Sequence, residues 1–470
     1  MTLNAPSVEF LNALDAQLPD VLGALEPQYL EEPRGIYQGQ GVAVARPRSV
    51  SDVSRILAAC SEAKVGVIPY GGGTGLVGGQ ISEAPGFLVL SMERMSAIRE
   101  VSTADQTMVV EAGAILSDIQ EAADGAGLLF PLSLASEGSC RIGGNLATNA
   151  GGVNVVRWGN TRDLCLSIEA VFANGQVMSG LKSLRKDNTG YDLRHLLIGS
   201  EGSLGVITAA RLRLFQKPAE VVTALLDVGS PQDALSVLRH LQTFFGEMIS
   251  AFELIDATGI SFLNETMADL VLPPLGDGKW KLLVEVGGGR GLELQDLFET
   301  ALSVAMEAGL VLDGHIAQSL GQRQTIWTMR ESIPEANRRV GAISSHDISV
   351  PVGRIPEFIS EGRKAVQRIN AGFRVNCFGH LGDGNLHYNV YPPDGRSKTE
   401  FGNLREVVKD SIHELVDQFN GSFSAEHGVG RMKVTDLEKY GDPGKLAAMR
   451  AIKDALDPVG IMNPGVVLRG

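Results

Sequence analysis

The sequence YGGGTGLVGG at residues 70–79 decides which fold this part of the chain can adopt. Its glycines at 73, 75 and 78 match the GxGxxG spacing of the Rossmann dinucleotide site, and a predicted strand precedes them. Rossmann glycines must open a helix of about ten residues whose N-terminus binds the pyrophosphate. Here the chain reaches Pro85-Gly86 and a new predicted strand at Phe87 too soon to leave room for that helix.

Successive backbone N–H groups can hold a pyrophosphate without any helix. We therefore predict that residues 71–79 form a nest of amides around a dinucleotide, with a Rossmann site and a plain loop as the alternatives. The 56 glycines of the chain cluster in such runs and do not recur at a fixed period. Clustered glycine is typical of backbone that closely approaches a ligand.

The composition limits the partners of the chain. The formal net charge of −14 over 470 residues argues against nucleic acid. Four cysteines without CxxC spacing indicate a reducing compartment. The first residues lack the basic start and apolar core of a signal peptide, and no apolar run approaches the length of a membrane span. We expect a cytoplasmic protein, with peripheral association at the inner face of a membrane as the alternative.

The pattern along the chain predicts an α+β protein. The expected parts are an N-terminal helical segment (1–33), a first domain (34–217), a second domain (218–455) and a C-terminal segment that returns to the first domain (456–470). Residues 131–163 are rich in Gly, Asn and Ser, which predicts a long irregular segment facing a ligand. Alternation at 221–228 and a helical pattern at 232–245 predict an antiparallel sheet with helices on one side.

A second informative sequence is FGHLGDGNLHYN at residues 378–389. Asp383-Gly384 is a strong hairpin signal, and a two-residue turn there would place His380 directly opposite His387. Directly paired side chains have Cβ atoms roughly 4.5–5.5 Å apart. Two imidazoles can therefore bind one metal ion from the same face of the hairpin. The alternative is a pair of surface histidines in a glycine-rich turn.

The pair Glu426-His427 follows further along the chain. Glu426 is the natural third ligand, because a His2Glu set leaves a coordination position open for substrate. His427 would then be a base. The sequence alone leaves the roles of these two residues exchangeable, since Gly428 and Gly430 indicate an irregular backbone after them.

Four stretches of the chain together resemble a known family: residues 69–79, 131–163, 186–208 and 378–389. They are similar to the FAD-linked 2-hydroxyacid dehydrogenases of the vanillyl-alcohol oxidase superfamily, whose branches include D-2-hydroxyglutarate dehydrogenase, D-lactate dehydrogenase and the flavin subunit of glycolate oxidase. The resemblance covers roughly residues 30–468. It implies a PCMH-type FAD-binding domain of two α+β subdomains and a C-terminal cap domain, an antiparallel sheet with helices, that binds substrate and metal.

The resemblance also implies which residues bind FAD, and the small side chains among them suit the close approach of planar rings. These residues are Gly71, Gly72, Gly73, Thr74, Gly75, Leu76, Gly78, Pro131, Ser136, Gly138, Gly143, Gly144, Asn149, Gly151, Gly152, Gly202, Val206, Ile207 and Asn463. Relatives with covalent flavin carry His or Cys at specific positions, and the glycine loop here has no histidine. We therefore expect FAD to be bound noncovalently.

The implied reaction is oxidation of a D-2-hydroxy acid to the 2-oxo acid, with hydride transfer to flavin N5. The pKa is about 15.7 for a water-like hydroxyl and about 6.5 for histidine, so proton transfer from the substrate to a histidine costs roughly 12 kcal/mol. A divalent cation bound to the hydroxyl would largely remove that cost. The resemblance assigns His380, His387 and Glu426 as ligands of that cation, with zinc expected before manganese or iron, and His427 as the base. It assigns Arg330 and Asn389 to the substrate.

One departure from the family pattern concerns the substrate tail. The 2-hydroxyglutarate branch commonly has a lysine for a distal carboxylate where this chain has Ser345, and Pro334 stands where some relatives have a hydroxyl residue. A shorter acid such as D-malate or D-lactate, or a different tail, becomes plausible. His346, Arg338 or Arg339 are the residues that could replace the lost charge.

Three other readings stay open from the sequence. The first is an oxidase that passes electrons to oxygen, the second a flavin-free metallohydrolase with the same His2Glu site, and the third a non-enzymatic module with a structural metal. For a dehydrogenase the electron acceptor would be an electron-transfer flavoprotein, a quinone or a cytochrome. A homodimer is common among the relatives.

Overall fold

The computed structural model describes residues 3–469 and mixes helices with sheets, as the predicted α+β class requires. Its helices, in chain order, are α1 (Val8–Gln17), α2 (Val50–Ala63), α3 (Leu116–Gly125), α4 (Ile142–Thr148), α5 (Val155–Trp158), α6 (Leu193–Leu197), α7 (Pro231–Phe245), α8 (Ala257–Thr266), α9 (Leu294–Glu307), α10 (Leu320–Val340), α11 (Ile355–Ile369), α12 (Arg405–Gln418), α13 (Val434–Tyr440) and α14 (Pro443–Leu456). Among the described residues, no helix has both the length and the apolar character needed to cross a bilayer.

The strands are short and most belong to one of three larger sheets. In chain order they are β1 (Leu22–Gly23), β2 (Gly41–Ala45), β3 (Gly66–Tyr70), β4 (Phe87–Ser91), β5 (Ile98–Ser102), β6 (Thr107–Glu111), β7 (Leu128–Leu129), β8 (Cys165–Val171), β9 (Val177–Met178), β10 (Val206–Arg213), β11 (Phe215–Gln216), β12 (Glu220–Val228), β13 (Ile249–Asp256), β14 (Trp280–Gly288), β15 (Asp313–Ile316), β16 (Asp347–Ser349), β17 (Arg374–His380) and β18 (Asn385–Tyr391).

The chain divides into two compact units. The first contains the residues up to Gly151, the segment Gly159–Lys217 and the residues from Glu426 onward; the second contains Gly152–Trp158 and Pro218–Ala425. One division follows Lys217. The second unit ends earlier than the predicted residue 455, because α13 and α14 belong to the first unit, and it gains the short α5 segment.

The first unit contains two sheets. In the four-stranded sheet, with order β1-β2-β4-β3, β4 runs parallel to both β2 and β3. Helix α2 begins after Ser49, whose hydroxyl accepts the N–H of Asp52, and buries Val53, Ile56, Leu57 and Cys60 against this sheet. The five-stranded sheet, with order β5-β6-β10-β8-β9, is antiparallel throughout. These are two α+β subdomains, as expected.

Three segments of the first unit bear on the sequence predictions. Residues 71–86, all described, contain no helix between β3 and β4, which confirms that the Rossmann arrangement is absent. The prediction that residues 131–163 are irregular is wrong in part, because Ile142–Thr148 forms the helix α4 despite its two glycines. The C-terminal turn returns as predicted: the N–H of Asn463 donates to the carbonyl of Val67 at 2.9 Å.

The second unit is built on a seven-stranded sheet with order β15-β12-β14-β13-β17-β18-β16, antiparallel throughout. One face packs against α7, α9, α11 and α12 in the larger apolar core. The other face packs against α8 and α10 in a smaller core that includes Phe378 and Tyr391. The prediction of helices on one side is therefore wrong, since helices cover both faces.

The hairpin of β17 and β18 forms, but its predicted register is wrong. Phe378 pairs with His387 and Cys377 with Tyr388, so His380 is not opposite His387. The turn is longer than two residues, because the N–H groups of Asp383 and Gly384 both donate to the carbonyl of His380. The observed register differs from the predicted one by two residues. An even shift keeps every side chain on the same face of the sheet.

Candidate active site

The first unit contains a cavity at the end of β3, and the glycine loop forms its wall. Many of the residues predicted to bind a flavin line it. They are Gly71, Gly72, Gly73, Thr74, Gly75, Gly143, Gly144, Gly202, Val206, Ile207 and Asn463.

Other predicted residues do not line this cavity. They are Leu76, Gly78, Pro131, Ser136, Gly138, Asn149, Gly151 and Gly152. Two of them have a structural role that explains their residue type. Gly78 has φ +71°, a left-handed conformation that favours glycine, and Asn149 ends α4 with φ +51° while its Oδ1 accepts the N–H of Arg162. Gly152 belongs to the second unit.

The cavity wall also includes residues that the sequence reading missed. Gln80 is one, and its Nε2 donates to the carbonyls of Gly73 and Gly75, which fixes the shape of the glycine loop. Arg141 and Asn145 flank the glycines of α4, and Cys140 precedes them. Their position next to Gly143-Gly144 was the available signal, since neighbours of a close-approach glycine tend to face the same ligand.

The cavity fits FAD in two respects. First, the Oδ1 atoms of Asn145 and Asn463 are buried in its wall and have no hydrogen-bond partner, so they would accept from the N–H groups of a flavin or adenine ring. Second, the backbone of Gly71 lies against that of Gly144, where a Cβ on Gly71 would be 3.3 Å from the Gly144 Cα. A side chain on Gly71 would push these two backbone segments apart and so change the shape of the cavity wall.

His427 lies on the wall of the same cavity, within the same unit. The backbone after it, Gly428 to Gly430, turns through two left-handed glycines with φ +81° and +53°. Glu201 contacts this turn, because its two carboxylate oxygens accept the N–H groups of Val429 and Gly430. Burial raises the pKa of the Glu201 carboxyl to about 7, although those two N–H groups and Lys433 favour its ionised form.

The second unit holds the two hairpin histidines on the face of the sheet that packs against α8 and α10. The His380 and His387 rings are 5.6 Å apart between centroids. The Nδ1 atom of His380 is 2.5 Å from a carboxylate oxygen of Glu253, which is fully buried on β13. Burial alone would raise the pKa of Glu253, but the charges of Arg330 and His380 lower it to about 2.

His387 faces a second carboxylate at a longer distance. Its Nδ1 is 4.0 Å from an oxygen of the buried Asp347, which also accepts from the Asn385 amide. Both histidines therefore turn Nδ1 towards an acid, which leaves Nε2 as the metal-binding nitrogen. A carboxylate behind Nδ1 is the usual support of a histidine ligand. The donor set thus fits a divalent cation at His380 and His387.

Arg330, which the resemblance assigns to the substrate carboxylate, contacts a carboxylate of the protein. Its Nε and Nη2 both bind Glu253, at 2.7 Å and 2.5 Å, and its guanidinium stacks 5.1 Å from the Phe378 ring. The planar fork of arginine suits any carboxylate, and here a protein carboxylate occupies it. Pro334 adds to the local irregularity, because it has no N–H to donate to the carbonyl of Arg330 in α10.

The remaining predicted residues lie close to these elements in the chain. Asn389 is on the histidine face of β18, and its Oδ1 accepts the N–H of His346. Glu426 and His427 begin the last segment of the first unit. The residue before them, Ala425, donates its N–H to the carbonyl of Asp347 at 3.3 Å, so the chain leaves the second unit beside β16.

Comparison with known families gives two matches that together cover most of the chain. A family model described as the C-terminal domain of FAD linked oxidases matches residues 217–467, and one described as an FAD binding domain matches residues 42–180. The chain belongs to the family of FAD-linked oxidases. The predicted membership is confirmed, and so is the prediction that this protein is an FAD-dependent dehydrogenase.

Curated relatives are similar to this chain over most of its length. D-2-hydroxyglutarate dehydrogenase from Arabidopsis thaliana, a mitochondrial protein, is 36% identical over 92% of this chain and 76% of its own length. The enzymes of the same name from Xanthomonas citri and Stutzerimonas stutzeri are also 36% identical, and the matches cover 90% of this chain and 88% and 90% of theirs.

Solved structures with low sequence identity share the fold. p-Cresol methylhydroxylase with bound substrate matches 98% of this chain at a TM-score of 0.77 and 15% identity. 4-Ethylphenol oxidase from Gulosibacter chungangensis matches 99% at 0.71 and 17%. The PCMH-type FAD-binding architecture expected for this family is therefore confirmed.

Proposed function

We propose that this dehydrogenase oxidises a D-2-hydroxy acid to the corresponding 2-oxo acid. The observation that carries the proposal is the position of His427, which lies on the wall of the glycine-lined cavity that fits FAD. A proton acceptor and a hydride acceptor can then act on the same carbon centre. The names of the relatives, which are 2-hydroxy-acid dehydrogenases, support the substrate class.

A divalent cation, with zinc first and manganese or iron as alternatives, would be held by His380, His387 and Glu426. The carboxylates of Glu253 and Asp347 behind the two histidines support the first two ligands. Glu426 follows Ala425 directly in the chain, and the Ala425 N–H is hydrogen-bonded to the Asp347 carbonyl. This position supports Glu426 as the third ligand. Three protein ligands would leave room for the hydroxyl and carboxylate oxygens of the substrate.

Bound FAD would accept the C2 hydrogen with its electron pair, and a bound cation would lower the pKa of the substrate hydroxyl. The protein would do the rest. A ring nitrogen of His427 takes the hydroxyl proton, while Glu253 and Asp347 hold the two ligand histidines in orientation. Arg330 acts through Glu253, whose charge it balances in the dry interior. The Asn389 amide would donate to the substrate, since its carbonyl oxygen is bonded to His346.

The substrate tail is a separate point. Ser345 is exposed, and Arg338 and Arg339 both pair with Glu335 on the surface of α10, at 2.7 Å and 2.8 Å. Neither arginine is therefore poised for a second substrate carboxylate. His346 is buried and packs edge-on against His413. A shorter acid such as D-malate or D-lactate, or an acid with a different tail, therefore stays in the proposal beside D-2-hydroxyglutarate, which the names of the relatives support.

The electron acceptor would be an electron-transfer flavoprotein, a quinone or a cytochrome, and oxygen in the rival oxidase reading. The cytoplasm stays the proposed compartment. The bacterial relatives are named without a compartment, whereas the plant relative is mitochondrial. A homodimer and noncovalent FAD complete the proposal. Tyr70, Cys140 and His427 are among the cavity residues with nucleophilic side chains, so acid precipitation, which releases only noncovalent flavin, tests the last point directly.

The decisive experiment is anaerobic reduction of the purified protein with a panel of D- and L-hydroxy acids. We expect a yellow protein whose flavin absorbance is bleached by one D-acid and not by its enantiomer. Chelator treatment should abolish bleaching, and added zinc should restore it. A colourless protein would favour the metallohydrolase reading, and bleaching by metal-free protein would remove the metal from the mechanism.

A second measurement separates a dehydrogenase from an oxidase. Substrate-reduced protein is mixed with aerated buffer, and the return of flavin absorbance is followed by stopped flow. Slow reoxidation in air together with fast reoxidation by an artificial dye is expected. Reoxidation by air at the rate of turnover would instead make oxygen the acceptor.

A further inference from the structure

Glu201 is a buried acid whose side chain joins two parts of the first unit. It lies on the cavity wall and is 8% exposed. One carboxylate oxygen accepts the N–H of Val429 at 2.7 Å, and the other accepts the N–H of Gly430 at 2.8 Å. These two amides come two and three residues after His427, so the carboxylate grips the backbone directly behind the proposed base.

The backbone of Glu201 is itself fixed on two sides. Its N–H donates to the carbonyl of Ala147 in α4 at 2.8 Å, and its carbonyl accepts the Asn463 amide at 2.8 Å. The same amide also binds the carbonyl of Gly79 in the glycine loop. Glu201 has φ +52°, which is unusual for a residue with a long side chain. Such a conformation persists only where the surroundings determine it, and it often marks a functional position.

The gripped segment fits closely against its neighbours. A Cβ on Gly428 would be 2.7 Å from a carboxylate oxygen of Glu201, and one on Gly430 would be 2.1 Å from the carbonyl of Val77. That carbonyl also accepts the N–H of Arg431 at 2.9 Å. The turn after His427 therefore packs between the glycine loop and Glu201, and there is no space for a side chain at Gly428 or Gly430.

We propose that Glu201 is a positioning residue that fixes the turn Gly428–Gly430 so that His427 faces the cavity. This inference rests on the proposed role of His427 as base. Glu201 itself touches neither substrate nor metal in this account. Its contribution is geometric, and a displacement of about 1 Å in a reacting group can reduce a rate by about 100-fold.

The chemistry of the two bonds explains why an acid is needed here. Two backbone N–H groups aimed at one side chain require two acceptor atoms, and a carboxylate supplies both. The isosteric glutamine has one acceptor oxygen and would aim its NH2 group at an N–H donor. Lys433 favours the ionised form of the carboxylate, while burial opposes it.

The test is Glu201→Gln in the full-length protein loaded with FAD, with rates expressed per bound flavin. We expect flavin absorbance to be retained, KM to change less than about 3-fold, and kcat to fall about 10- to 100-fold. The deuterium isotope effect with substrate labelled at C2 should rise, because the chemical step becomes slower. A loss of folding stability alone would change neither kcat per flavin nor the isotope effect.

Two further variants complete the test. Ser203→Ala is the matched control, because Ser203 lies in the same buried turn but its hydroxyl donates only to the Ser200 carbonyl in the hydrogen bonds seen here. It should keep the parent kcat. If Glu201→Gln fails to bind FAD, Gly428→Ala tests the same grip from the other side, since its Cβ would displace the carboxylate. It should show the same loss of kcat.

The failure of this inference can be told apart from failure of the proposed function. If His427→Ala keeps the parent turnover, His427 is not the base and the proposed mechanism falls. If His427→Ala abolishes turnover while Glu201→Gln and Gly428→Ala keep the parent kcat and isotope effect, only the positioning role is overturned. A lower kcat in both Glu201→Gln and Gly428→Ala, with an unchanged kcat in Ser203→Ala, supports the positioning role of Glu201.

Discussion

Two buried glutamates, one in each unit, have pKa values shifted in opposite directions. Glu201 in the first unit binds two backbone amides, and burial raises its pKa to about 7. Glu253 in the second unit is even less exposed, but there Arg330 and His380 outweigh burial and lower its pKa to about 2. The two backbone amides at Glu201 do not offset its desolvation, whereas the Arg330 guanidinium and the His380 ring, both within hydrogen-bonding distance of Glu253, do.

The same contrast separates the two parts of the site. The FAD cavity is built largely from backbone and glycine, and its polar groups are mostly amides and uncharged side chains. The proposed metal-binding histidines of the second unit lie on a sheet beside buried acids, Glu253 at 2.5 Å from His380 and Asp347 at 4.0 Å from His387. We infer that shape governs cofactor binding in the first unit, and charge governs metal binding in the second. Four predictions test this division.

The largest effect is expected from His380→Ala or His387→Ala. Loss of a ligand should remove the metal and with it several kcal/mol of transition-state stabilisation, so turnover should fall about 10³-fold. Metal content by mass spectrometry and kcat are the measurements. FAD content should stay unchanged, and loss of FAD in either variant would break the division between the two parts. His240→Ala, which removes a half-buried ring bonded to the Ala301 carbonyl, is the control.

The next effect is the pH dependence that Glu201 gives to folding. Its carboxyl binds a proton more tightly in the folded chain (pKa about 7) than in the unfolded chain (4.5). The folded state therefore loses stability as pH rises through this window, by about 3 kcal/mol in total, and no further above it. Urea unfolding of the parent and of Glu201→Gln at several pH values measures this. The stability of the parent relative to the variant should fall from pH 4.5 to 7, and parallel curves would contradict the prediction.

Glu253→Gln should weaken metal binding about 10- to 100-fold by removing the support behind His380. The measurement is titration of metal-free protein with zinc. Glu285→Gln is the matched control, because Glu285 is a buried acid on the neighbouring strand β14 that binds Arg323, Trp327 and Thr223. Both variants should lose stability, but only the first should lose metal affinity. Equal metal affinity in the two would mean that charge at Glu253 does not tune the site.

The smallest effect concerns shape. A Cβ on Gly72 would lie 2.4 Å from the carbonyl oxygen of Ser139, a backbone atom that cannot easily move, whereas one on Gly138 would meet nothing within 4 Å. Gly72→Ala should weaken FAD binding about 10-fold, and overpacking should cost about 1–3 kcal/mol of stability. Gly138→Ala should leave both unchanged. Flavin release on dilution is the measurement, and equal release from both variants would contradict a shape-governed cavity.

Much of the first unit was predictable because its signals are local. The strand, helix, strand pattern of residues 41–70 and the Ser49 cap depend on neighbours in the sequence. The absence of a helix after the glycine loop depends on Pro85-Gly86, again local. The helix α4 was missed because Gly143-Gly144 argues against helix, and the carbonyl of Ala112, which accepts the Gly143 N–H at 2.8 Å, is distant in the sequence.

The second unit shows why contacts between distant residues could not be predicted from the sequence. Asp383-Gly384 predicts a turn, but the two N–H bonds to the His380 carbonyl set its length and so the register. His380 was predicted as a ligand from its own spacing to His387, and that assignment stays a proposal. Its partner Glu253 lies 127 residues away and has no local signal. Arg330 carries the pattern of an anion-binding residue, and its contact with Glu253, 77 residues away, has no local signal either.

By itself, the sequence determined the class of cofactor, the α+β architecture and the residue types from which the site is made. Glycine runs, turn residues and helix caps act over a few residues, so their effects can be read along the chain. The tertiary structure decided hairpin register, the pairing of Arg330 with Glu253 and the grip of Glu201 on the turn after His427. These depend on which distant groups share a buried space, where an unpaired charge is costly and each carboxylate takes the donors within its reach.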